Sequence, residues 1–206
     1  MRMSDLRIVT ESPPTPPSLH DYARVPIAFD VTGRFDPSSG QVVPVARAFV
    51  KDYDACRGNH PTEWPQRWDL SRWWFAAAFV GDRRVGGAVV VPYAGDVEGD
   101  DVAAPDAALL WDIRVAPDVR RLGVGRALLA FAECHACAAG RSRMLVETQD
   151  VNVAACRFYA RERYTLLRVE PRAYPTLPDE TRLIWQKPVR LSPVTTGGEI
   201  PPAAQT

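Results

Sequence analysis

The order of segments in the second half of the chain limits its fold more than any other feature. Ala107 to Val115 is an apolar, strand-like run interrupted by Asp112 and Arg114. Gly123 to Ala139 has helical spacing, with Leu128, Phe131, Ala132 and His135 on one face and Gly140 placed to close it. Arg143 to Gln149 is again strand-like. A strand, a helix and a strand in one sheet form a right-handed crossover with the two strands parallel. The remaining segments read as antiparallel. Ile27, Phe29, Val31 and Phe35 alternate with polar or small residues, and Val43 to Val50 gives a second strand. Trp73–Val80 and Val85–Val91 flank Gly81-Asp82 as a hairpin. Asn152 caps a helix running to Arg163, and Tyr164–Val169 and Thr181–Lys187 complete the set. The expected class is α/β: a mixed, mostly antiparallel sheet with one parallel strand pair and helices on both faces.

The ends carry different signals. Ser12-Pro13-Pro14-Thr15-Pro16-Pro17 cannot be a helix interior or a central strand, so residues 1–24 read as a Pro-rich lead-in. Residues 25–190 read as one domain, and 191–206, rich in Gly, Pro and Thr, as a disordered tail. Residues 59–72 suggest short turns, because Pro61, Trp64, Pro65, Trp68 and Asp69 interrupt any long helix. Lys plus Arg equals Asp plus Glu at 25 each, so no overall field favours nucleic acid. No apolar run approaches the ~20 residues of a membrane helix and no signal-peptide core is visible, so the expected location is the cytoplasm, away from membrane. Cys134 and Cys137 form a C-x-x-C inside the helical stretch, with no second pair to complete a zinc site. They read as small helix residues and no metal is expected. The acidic stretch Asp96, Glu98, Asp100, Asp101 and Asp106 is either a solvated loop or an attractor for a cationic ligand.

The chemistry concentrates where the first parallel strand meets its helix. The first turn of a helix leaves backbone N–H groups unpaired and carries partial positive charge, which suits phosphate. Gly123 and Gly125 lack a Cβ and let oxygens approach, while Arg120, Arg121 and Arg126 add charge around the same point. A dinucleotide fingerprint fits less well, although Glu147 lies near where a ribose-binding acid would sit. Its third glycine position is Leu128, and a Pro-containing segment separates strand from loop. No Gly-Lys-Ser/Thr follows, so a nucleotide P-loop is excluded.

The segment Val115-Ala-Pro-Asp-Val-Arg120-Arg-Leu-Gly123-Val-Gly125-Arg-Ala-Leu128 resembles the Arg/Gln-x-x-Gly-x-Gly/Ala signature of the GNAT N-acetyltransferases. Asn152-Val-Ala-Ala155-Cys-Arg-Phe158-Tyr159 looks like that family's Asn-x-x-Ala-x-x-Phe-Tyr helix, in the right order and spacing. Leu110 to Val115, Val146 to Tyr159, Arg172 to Pro175 and Arg182 to Trp185 are most similar to its streptothricin acetyltransferase-like members. The resemblance is strong over 107–187, weaker over 25–106, and departs from the family at Arg163-Tyr164, where Gly-Phe is usual.

The resemblance implies the GNAT fold, its parallel pair splayed around acetyl-CoA as co-substrate. It implies that backbone groups of Ile113 and Val115 hold the pantetheine arm and thioester carbonyl, and that amides of Arg121, Gly123, Val124, Gly125 and Arg126 bind pyrophosphate. Tyr159 becomes the general acid for the leaving thiolate; as a residue alone it would sooner be a helix aromatic packed beside Phe158, and its place in the matched motif reverses that. Asn152 reads as helix cap, cofactor contact or both, and Ala155 as a cofactor neighbour. A base or a water chain must take the amine's proton. Glu147 and Asp112 are the candidates, the alternative for Asp112 being an ion pair with Arg114. Strand alternation places Asp112 on one face with Leu110 and Arg114, and Glu147 with Leu145 and Gln149. The expected partner is a small-molecule amine, such as a cationic antibiotic of the streptothricin type, with a homodimer left open. A non-catalytic acyl-CoA sensor on the same fold is the alternative.

Overall fold

The computed structural model describes residues 5–92 and 104–190. Its centre is a seven-stranded sheet in the order β1-β4-β5-β6-β7-β9-β8. The strands are β1 (Leu6–Thr10), β4 (Trp74–Val80), β5 (Arg83–Val91), β6 (Ala107–Val115), β7 (Arg143–Gln149), β8 (Thr165–Pro171) and β9 (Thr181–Pro188). β2 (Phe29–Phe35) and β3 (Val42–Lys51) form a separate antiparallel ribbon. Within the large sheet β6–β7 is parallel and the other pairings are antiparallel, as the crossover requires.

The parallel ladder stops early. It pairs Ala107 with Arg143 through Leu110 with Val146, yet β6 continues to Val115 and β7 to Gln149. Beyond that point β6 stays paired with β5 on its other side, so the edge facing β7 is open. The gap is the splay that the family resemblance implied.

Helices cover both faces. α2 (Val124–Ala138) and α3 (Val153–Arg161) lie on one, sharing a core with Val90, Leu110, Val146 and Trp185. The other face, carrying Val89, Leu109, Leu145 and Ile184, packs on α1 (Pro16–Ala23) and on Trp64, Leu70 and Trp73. Short 3-10 helices at Pro61–Gln66 and Leu70–Arg72 replace the turns expected over 59–72.

The Pro-rich lead-in is more ordered than its composition suggests. β1 adds an edge strand to β4, and Pro16 and Pro17 open α1 behind a Thr15 capping box. Proline is tolerated in a helix's first turn because its missing N–H would have no partner there. Leu19 and Tyr22 are then buried against the sheet. Arg163, where the family usually has glycine, itself takes the left-handed turn at φ 67°, and Tyr164 behind it is buried. The acidic residues 96–101 and the tail 191–206 lie outside the described residues; Asp106 is described and pairs with Arg143 at 3.0 Å.

Candidate active site

A cavity of about 610 Å³ opens where β6 and β7 part, and Asp112, Ile113, Glu147, Asn152, Ala155 and Tyr159 all line it. The segment expected to bind the donor is local and follows β6 in the chain. After β6 a 3-10 helix at Pro117–Val119 turns the chain, Arg121 and Gly123 both take left-handed backbone (φ 64° and 92°), and α2 begins at Val124. Gly123 caps α2 without a side chain, so no side-chain oxygen occupies the first-turn N–H groups of Val124, Gly125 and Arg126. A Cβ at Gly125 would lie 3.6 Å from both Phe158 and Val115, so β6, α2 and α3 meet closely there.

The three arginines separate. Arg121 is exposed, whereas Arg120 Nε donates to the Val115 carbonyl at 3.0 Å and is turned back onto the backbone. Arg126 is also exposed and pairs with Glu162 at 3.2 Å.

α3 brings its two residues by the same local logic. Asn152 Oδ1 accepts from the Ala155 N–H at 3.1 Å, which starts the helix as the cap reading required. Two turns on, Tyr159 is buried between Phe158 and Tyr164, with ring centroids 5.2 and 5.5 Å away. Burial pushes its phenol well above the ordinary tyrosine value, so it is a neutral proton donor throughout the physiological range.

The acceptor side corrects one expectation. Val89 pairs with Asp112 and Val90 with Leu110, so β6 has a bulge at Trp111. The bulge breaks the alternation: Leu110 faces α2 and α3, while Asp112 points to the α1 side. There Asp112 sits among polar partners. It accepts from Tyr22 Oη at 2.6 Å and pairs with Arg114 at 2.9 Å, which also clasps Asp54 at 2.7 and 2.8 Å. Arg114 is 2% exposed, so this cluster holds two carboxylates against one buried guanidinium. The ion pair, one of two alternatives in the sequence, is the one formed.

Glu147 is placed differently. Its side chain is 38% exposed, accepts from Tyr174 Oη at 2.8 Å, and has Arg182 Nη1 at 3.8 Å. Two residues along the same strand face, Gln149 is buried and its Oε1 has no hydrogen-bond partner among the described residues.

Sequence reasoning missed Tyr22, Asp54, Tyr174 and the aromatic wall. Trp111, the residue at the bulge, packs edge-on to Trp68 at 4.8 Å and against Trp73 at 5.2 Å. The available signal was weak: a density of tryptophan between 64 and 74, with a further one at 111.

With this geometry in place, comparison with known proteins is decisive for the class. The chain belongs to the acetyltransferase (GNAT) family, whose model matches residues 45–163. It is similar to streptothricin acetyltransferase A of Bacillus subtilis (strain 168), 39% identical over 85 residues; the match takes in 38% of this chain and 46% of the relative, so it spans about half of that protein's length. Among solved structures, a nourseothricin acetyltransferase superposes with TM-score 0.68 at 23% identity, covering 90% of this chain and 99% of its own. A protein of Bacillus anthracis str. Ames in complex with acetyl coenzyme A superposes with TM-score 0.68 at 22% identity, covering 88% and 96%. At those identities the two structures speak for the fold.

Proposed function

We propose that this protein transfers an acetyl group from acetyl-CoA directly to a primary amine, with a cationic small molecule of the streptothricin type as acceptor. The observation that carries the reading is the cavity at the β6–β7 gap, where the open β6 edge and the buried neutral phenol on α3 face the accessible Glu147 carboxylate. A helix start suited to pyrophosphate follows β6 in the chain. The backbone of Ile113 and Val115 supplies hydrogen-bonding groups along the open edge, and the amides of Arg121, Gly123, Val124, Gly125 and Arg126 receive the diphosphate. Tyr159 donates its proton to the departing thiolate. Glu147 receives the acceptor's ammonium and takes its proton, directly or through water; Asp112, already engaged by Tyr22 and Arg114, has a supporting part.

The test is thiol release from acetyl-CoA with streptothricin, polyamines, aminoglycosides and free lysine. Turnover with at least one is expected, and acetyl-CoA at 100 times its Kd should stabilise the fold by about 2.7 kcal/mol. Tyr159→Phe is expected to lower kcat by about 100-fold or more while acetyl-CoA still raises the melting point. A protein that releases no thiol with any amine, or a Tyr159→Phe variant as fast as the parent, sinks the reading.

A further inference from the structure

The connection between β8 and β9 supplies part of the cavity wall, and the family resemblance over Arg172–Pro175 gives its residues no role. It makes two successive turns, Leu177 N–H to the Tyr174 carbonyl and Glu180 N–H to the Leu177 carbonyl, each 3.0 Å. Its far end is fastened. Glu180 pairs with Lys51 of β3 at 2.8 and 2.9 Å, both side chains over nine-tenths hidden. Asp150, after β7, accepts from the Thr181 N–H at 3.0 Å and pairs with Arg34 of β2 at 3.1 Å. Arg34 also donates to the Asp179 carbonyl.

From this braced loop Tyr174 and Leu177 reach the cavity, and the Tyr174 phenol donates to Glu147 Oε1 at 2.8 Å. A glutamate that is more than one third exposed has three side-chain torsions and would sample several rotamers. A phenol delivered by a fixed loop to one carboxylate oxygen, with the Arg182 guanidinium 3.8 Å from the other, removes most of that freedom. Burial, and then the neighbouring Glu147 charge, push the Tyr174 phenol well above its ordinary value, so it remains a donor at working pH.

We propose that Tyr174 is a positioning residue for the acceptor, holding the Glu147 carboxylate in the orientation that receives a primary ammonium and so setting affinity for the amine and not for acetyl-CoA. This rests on the acetyltransferase reading above. The ammonium enters beside a carboxylate already oriented, and the ordering cost is met by the fold before the ligand arrives.

The experiment pairs steady-state kinetics with calorimetric titration of streptothricin into the CoA-saturated protein, for the parent, Tyr174→Phe, Glu147→Ala and the double variant. Tyr174→Phe is expected to weaken streptothricin binding and raise its KM on the order of 10-fold, the scale of a lost hydrogen bond to a charged group. The KM for acetyl-CoA and the melting point stay unchanged. The acidic limb of kcat/KM moves to higher pH, because a carboxylate that loses a donor holds its proton more tightly. In the Glu147→Ala background the second substitution adds less than about twofold, since Tyr174 acts through Glu147. An additive double variant, an unchanged streptothricin KM, or a loss shared equally by acetyl-CoA overturns the inference while the parent's turnover leaves the acetyltransferase reading standing. A parent that turns over no amine removes both.

Discussion

The proposed donor and acceptor sides of the site are built by opposite means. The donor side is one short stretch of chain, β6 into the Arg120–Arg126 loop into α2, with α3 beside it; β6 and α3 line the cavity and the loop follows β6. On the proposed reading its working groups are backbone amides, which need only a helix start and glycines to be exposed. The proposed acceptor side draws on the segment after β3, on β6, β7 and the β8–β9 loop, with α1 bracing Asp112 from behind, and it relies on side chains. Tyr22 meets Asp112 across 90 residues of sequence, and Arg114 meets Asp54 across 60. A backbone site tolerates drift in side-chain identity, whereas a side-chain site is re-specified by a few substitutions. Acceptor choice in such a design can therefore change while donor chemistry stays fixed.

The largest effect should come from the cluster that anchors the acceptor half. Arg114→Met leaves Asp54 and Asp112 facing each other without their buried cation, and is expected to cost about 3–5 kcal/mol in urea unfolding. The folded fraction should still be stabilised by acetyl-CoA, since nothing in the α2 start depends on Arg114. If acetyl-CoA stabilisation disappears along with the amine response, the two halves are one cooperative unit and the contrast breaks.

The same contrast explains what was legible in the sequence. The crossover, the helix starts and the Gly123/Gly125 loop are short-range patterns, and the structure reproduces them to within a residue or two. Asp112 was legible as a residue but not as a role. The bulge at Trp111 is a register event between β5 and β6, and no periodicity in β6 alone announces it. Tyr22 was hidden for another reason. It lies in a segment that prolines mark as irregular, and the fold places Pro16 and Pro17 in the first helical turn, where proline is harmless. Its packing also requires a glycine opposite: a Cβ at Gly87 would come within 2.6 Å of both Tyr22 and the Ala76 carbonyl. Such pairings between distant segments leave no spacing to read.

A smaller effect separates the two glycines of the donor loop. Gly123→Ala forces a residue with a Cβ into left-handed backbone and is expected to lower stability by about 1–2 kcal/mol. Gly125→Ala meets Phe158 and Val115 at an ordinary 3.6 Å inside a helix, where alanine is the better former. Its unfolding free energy should be unchanged or slightly higher. Both should raise the KM for acetyl-CoA, because either methyl narrows the approach to the amides, and neither should alter the KM for the amine. A Gly125→Ala variant with parental acetyl-CoA affinity would move the diphosphate away from the α2 start.

The smallest effect expected is at Arg126, and it decides whether amides or side chains carry the donor site. The Arg126 side chain is 73% exposed and its pair with Glu162 is a surface contact, worth about 0–1 kcal/mol to stability. If the backbone does the binding, Arg126→Ala raises the KM for acetyl-CoA only about two- to threefold at low salt. That difference should fade near 0.5 M salt, where screening shortens the reach of an exposed charge to a few ångströms. A hundredfold rise that survives salt would instead make the guanidinium a direct clamp on phosphate. The donor half would then rest on a side chain, as the acceptor half does.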